Sequence, residues 1–157
     1  MKIIFPTEAF EARCREQEII GETFLTEAFA YFLDDNPELR SPFPPYTHEA
    51  LIQNTFQRTM HWAFEQDKSS MTDDIVSATF HAILLEEGQK LVATDDERLT
   101  IAYPELPRTG DTANIPEKGV YKVSRRLLYE KENALFLKIF LQHTLTGHLL
   151  ETEFEVD

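Results

Sequence analysis

The chain has 157 residues, with 28 Asp and Glu against 15 Lys and Arg, for a formal net charge of −13. That length suits one domain spanning 1–157, able to bury roughly 68–70% of its unfolded surface, and 42% hydrophobic residues exclude disorder along the whole chain. The acidic balance argues against direct binding to nucleic acid, because phosphate affinity needs a basic face.

Cys14 is the single cysteine, so no internal disulfide can form and an oxidised secreted scaffold is excluded. The apolar stretch at Met1–Phe5 is too short for a secretory leader. No apolar run approaches the ~18–20 residues that a membrane span requires. A cytoplasmic location without a membrane partner is the expectation.

Lys2 to Phe5 reads as a short strand, followed by a helix that Thr7 caps and that runs from Glu8 to about Leu33. Its apolar residues include Phe24, Ala28, Phe29, Phe32 and Leu33, at steps of three and four. Gly21 can bend it, and Asn36-Pro37 ends it. Residues 41–47, Ser-Pro-Phe-Pro-Pro-Tyr-Thr, read as an extended connector. Thr47 is a candidate N-cap for a second helix to about Gln66, with Ile52, Phe56, Met60 and Phe64 four residues apart.

From Ile75 the apolar residues also fit a period of two. Val76, Ala78, Phe80, Ala82 and Leu84 share one face, and turns at Glu87-Gly88 and Asp95-Asp96 divide the stretch to Tyr103 into a three-stranded meander. Pro104 to Pro116 reads as a long loop. A second meander follows: Val120–Tyr129, a turn at Glu130–Asn133, Ala134–Leu145, a turn at Thr146-Gly147, and His148–Val156. Gly147 supplies the positive φ of that last turn. The expected fold is α+β: two N-terminal helices packed on a largely antiparallel sheet of about six strands.

Standard catalytic signatures are missing. The five glycines are too scattered for a dinucleotide or phosphate loop, and no serine has glycines at GxSxG spacing. His48-Glu49 starts like a zinc-protease helix, but Ile52 takes the second histidine's place. Cys14 lies one turn after Phe10 and reads as a structural thiol, although Arg13 and Arg15 flank it. His143 and His148 flank the last turn, but two imidazoles make a poor metal site without a carboxylate. The expectations are therefore no enzyme activity, no metal and no cofactor.

The acids are patterned. Asp34-Asp35, Asp73-Asp74, Glu86-Glu87 and Asp95-Asp96-Glu97 fall at element ends, where turn propensity and solubility explain them. In the last strand Glu151, Glu153, Glu155 and Asp157 alternate with Thr152, Phe154 and Val156. Period two puts the four carboxylates on one face, about 6.6 Å apart per step. Neighbours then repel by roughly 0.6 kcal/mol in water and about 2.5 kcal/mol at an effective dielectric of 20. Such a face must be solvated or matched by cations, and Arg125 and Lys131 are the internal candidates. Charge also protects an edge strand from aggregation.

These features point to a small acidic binding protein that inhibits or neutralises a basic protein, such as a nuclease or another nucleic-acid-binding protein. Immunity proteins and nucleic-acid mimics exemplify the type. Glu151, Glu153, Glu155, Asp157, Asp95, Asp96 and Glu97 are the candidate partner-binding residues. A second reading is a ligand-binding or hydrolytic domain whose apolar pocket lies under the helices, with His81, Tyr103, Tyr129 and His143 as its polar groups. A third is an assembly subunit that forms a homodimer.

Overall fold

The computed structural model describes residues 22–34 and 40–156, and the chain divides into two compact units, Met1–Pro104 and Glu105–Asp157. The expected strand at Lys2–Phe5, the Thr7 cap, the Gly21 bend and Cys14 lie outside the described residues, as does Asp157. The fold is α+β, but the expected two helices and six strands are replaced by four α-helices among the described residues and one antiparallel sheet of four strands.

The first unit is helical. Helix α1 (Glu22–Leu33) buries Leu25, Phe29 and Leu33, one turn apart on a single stripe. The connector after it is not extended throughout: it ends in a 3-10 turn at Pro45–Thr47, and the buried Phe43 anchors it. The His48 ring donates through Nε2 to the Phe43 carbonyl at 2.8 Å. Helix α2 (His48–Glu65) buries Ile52, Phe56, Met60 and Ala63 as their spacing predicts. Thr47 stands at its N-cap position without capping it, because its hydroxyl donates instead to the Pro44 carbonyl at 2.7 Å.

The expected meander over 75–103 is two helices, α3 (Asp73–Leu91) and α4 (Asp95–Ala102). Val76, Phe80 and Leu84 satisfy both a period of two and steps of four. The residues that separate the two readings are Ala78 and Ala82. A strand face would bury them, yet both are exposed, while Ile83, Glu87 and Gly88 are buried at helical offsets. Acids expected at turns instead open helices. Thr72 accepts the N–H of Ile75, and Asp73 and Asp74 occupy the first turn, where the helix dipole favours negative charge. Thr94 and Glu97 form a capping box at the start of α4. The core gathers α1, α2 and α3 around Phe80, whose ring meets Phe29 edge-on at 5.0 Å and Phe24 at 6.2 Å.

The second unit is the sheet, with strand order β1-β2-β3-β4: β1 (Thr112–Ile115), β2 (Gly119–Lys131), β3 (Ala134–His143) and β4 (Leu149–Val156). Strand β1 lies inside the stretch expected to be loop and pairs with the first residues of β2. Glu132 and Asn133, both at positive φ, close the β2–β3 hairpin, and Gly147 at φ 73° serves the β3–β4 turn as its position predicts. Gly119 at φ 104° brings its Cα close to the His143 ring; a Cβ there would lie 2.7 Å from Nε2.

A β-bulge between Val123 and Arg125 turns the faces of β2. Ser124 is the extra residue, and its hydroxyl donates to the Phe140 carbonyl at 3.1 Å. Beyond the bulge Arg125 faces outward and Arg126 inward. Arg126 is buried among the inner residues Val123, Leu137, Ile139 and Leu141, and it donates through Nη1 to the Pro107 carbonyl at 2.8 Å.

Candidate acidic face on the sheet

Among the described residues strand β4 pairs only with β3, so it is an edge of their sheet. The register sets Glu151 opposite Phe140, Glu153 opposite Lys138, and Glu155 opposite Phe136. On β2 the same rows continue to Arg125, Leu127 and Tyr129. The outer face thus grades across three strands from carboxylates, through aromatics flanking one lysine, to Arg125, Leu127 and Tyr129. Leu127 is 50% exposed there, and Leu149, which begins the acidic row, is 68% exposed.

Cations on this face are engaged unevenly. Lys138 reaches Glu151 at 3.6 Å, a loose pair whose acid side chain stays 57% exposed. Arg125, an expected internal partner for the acids, lies two strands away and rests its guanidinium 4.2 Å from the centre of the Phe140 ring. The Tyr129 hydroxyl hydrogen-bonds to Glu153, which holds that phenol above its ordinary pKa. Tyr129 also stacks on Phe136 at 5.9 Å. Glu151, Glu153 and Glu155 are all exposed, and the alternation that the sequence predicts is realised on one face.

The second acidic cluster belongs to the helical unit and has internal work. Asp95 pairs with Arg98 at 3.0 Å. Glu97 accepts the Tyr46 hydroxyl at 2.6 Å and the N–H of Thr94 at 3.1 Å. The Tyr46 bond, with the Thr94 contacts, keeps the Glu97 carboxyl below its ordinary pKa. Glu97 therefore has its oxygens occupied by the cap of α4.

The four expected pocket residues are divided between the two units. His81 and Tyr103 belong to the helical unit, Tyr129 and His143 to the sheet. His81 is exposed and stacks on Phe32 at 4.8 Å. Tyr103 caps the C-terminus of α4. Tyr129 lies on the outer face near one end of the β2–β3 pair, and His143 on the inner face near the other. His143 accepts the N–H groups of Leu145 and Thr146 through Nδ1, at 3.1 Å each, and so holds its own turn. No group of three or more metal-ligating side chains occurs among the described residues.

Sequence reasoning missed a groove of about 780 Å³ between α2 and α3, where Arg58, His61, Trp62 and Glu65 line one wall and Ala82 and Glu86 the other. The signal was present: Arg58, His61, Trp62 and Glu65 recur at steps of three and four beside the apolar stripe of α2. Beside it sits a carboxylate network. Glu87, with its side chain 8% exposed, accepts Arg58 Nη1 at 2.8 Å and Lys90 Nζ at 3.1 Å, while Arg58 Nη2 reaches Glu86 at 2.8 Å. Burial opposes the charge on Glu87, but the bonds from Arg58 and Lys90 outweigh it and lower its pKa below the ordinary value of 4.5. A carboxyl whose pKa falls on folding stabilises the native state above its unfolded value and loses that contribution as pH falls through its folded one. Glu87→Gln should thus cost about 1–2 kcal/mol near pH 7, with the deficit shrinking as pH drops below about 4.5. Urea unfolding of both proteins from neutral to acid pH measures it. A deficit constant with pH would contradict this account.

No protein-family model, curated protein or solved structure matches the chain significantly. No described helix is long and apolar enough to cross a membrane.

Proposed function

We propose that this chain is a non-enzymatic cytoplasmic protein that binds and neutralises a basic protein, capturing it on the outer face of the sheet. The observation that carries the reading is the row Glu151, Glu153 and Glu155: exposed, on one face of an edge strand, with one loose ion pair to Lys138. Acids in a row accelerate the encounter with a positive surface and make it sensitive to salt. Half-buried Phe136 and Phe140, with exposed Leu127, give the same face apolar area that holds a partner once it has arrived. A nuclease or another nucleic-acid-binding protein has the positive surface this face would match. Asp95 is engaged by Arg98 and Glu97 by the cap of α4 instead.

The test is titration with a fluorescent peptide rich in lysine and arginine, at about 50 mM and about 500 mM salt. Binding should weaken at the higher salt. Replacing Glu151, Glu153 and Glu155 by Gln should weaken it about tenfold at low salt, the effect of three exposed ion pairs. Asp73→Asn with Asp74→Asn removes charge elsewhere and should change it far less. Equal losses in the two variants would show that only net charge matters and would remove the assignment to this face.

A further inference from the structure

We infer that the edge of β4 unpaired among the described residues binds an extended peptide as a fifth strand, and that the peptide carries Lys or Arg at every second position. The inference rests on the acidic-face reading above and specifies its occupant. Among the described residues strand β4 has a neighbour on one side only, so alternate residues direct their N–H and C=O groups away from that sheet. An incoming strand that meets these groups is held in register by the backbone. In that register its alternate side chains stand about 4.5–5.5 Å from those of β4, measured between Cβ atoms.

The row on the outer face is Leu149, Glu151, Glu153 and Glu155, which calls for an apolar residue followed by three basic ones at two-residue steps. The residues between them would lie beside partly buried Leu150, Phe154 and Val156 on the other face, which favours Val, Ile or Thr there. The same pattern rejects a second copy of this chain. Antiparallel pairing of β4 with itself about Glu153 would set Glu153 against Glu153 and Glu151 against Glu155, and like charges directly opposite destabilise a sheet. The strand therefore discriminates between two extended partners by charge alone: it repels its own sequence and accepts the oppositely charged one.

Three synthetic peptides of about eight residues, the length of an ordinary strand, test this against the intact chain. The first alternates Lys and Val. The second has the same composition with its lysines in one block. The third is the first, N-methylated on the amides that would face β4. The alternating peptide should bind at least about tenfold more tightly than the other two, as expected for several backbone hydrogen bonds gained together. It should also slow amide hydrogen exchange across residues 149–156. Substituting Glu151, Glu153 and Glu155 together by Lys should weaken it and favour a peptide alternating Glu and Val. If all three bind equally and exchange at 149–156 is unchanged, strand addition is wrong while the acidic-face reading stands. If none binds even at low salt, both are wrong.

Discussion

Phe80→Ala should destabilise the helical unit by about 3–5 kcal/mol, the range for truncating a buried aromatic ring. The ring is 1% exposed and touches three others, with Phe29 edge-on at 5.0 Å, Phe24 at 6.2 Å and Phe32 at 6.3 Å. Truncation removes apolar burial and also strands the faces and edges of those rings without the partner they are oriented toward. Phe80→Leu keeps most of the volume and should cost markedly less, about 1–2 kcal/mol. Urea unfolding followed by helical circular dichroism reads both. A loss under about 1 kcal/mol for the alanine variant would mean that the core collapses around the site or is not centred on this ring.

Gly88→Ala should also destabilise, against the ordinary rule for a helix interior, where alanine is better than glycine by about 1 kcal/mol. A Cβ at position 88 would lie 2.5 Å from Phe43 Cε1, 2.9 Å from Cδ1 and 3.4 Å from Ile101 Cδ1. Phe43 is itself buried and fixed by the connector, so its ring has little room to retreat. The expected net loss is about 1–3 kcal/mol for Ala, and more for Val, whose branches reach further into the same rings. Phe43→Leu in the Gly88→Ala background should recover part of it, and a double-mutant cycle isolates the coupling. A more stable Gly88→Ala protein would show that the connector yields and that the contact is soft.

The two helices with Phe-rich stripes were legible because Phe and Leu at steps of four have no sensible reading as a strand. The last three strands were legible for the complementary reason: Leu137, Ile139 and Leu141 alternate with Phe136, Lys138 and Phe140, and Asn133 and Gly147 mark turns between them. Residues 75–103 were ambiguous because alanine and threonine fit either period, so Ala78 and Ala82 counted as apolar in a pattern that does not bury them. The caps held the deciding information. Thr72 and Thr94, each followed by acids, are helix starts, and reading Asp73-Asp74 and Asp95-Asp96 as turns discarded it.

The acidic row on β4 was legible as geometry, since period two is a property of the backbone. Its neighbours were not. That Lys138 and not Arg125 approaches Glu151 depends on strand order and on the bulge at Ser124, and neither leaves a mark in composition. The division of the pocket candidates between the two units was illegible for a related reason. His81, Tyr103, Tyr129 and His143 were grouped by chemical type, and proximity between residues so far apart in sequence follows from topology alone.

The extra residue at the bulge makes β2 tolerant of a length change at one point. Excising Ser124 would leave a strand of regular pleat in which Val123, Arg125 and Arg126 still stand opposite Leu141, Phe140 and Ile139, so both halves keep their seats. A one-residue deletion elsewhere in the body of β2 would turn every residue beyond it to the wrong face.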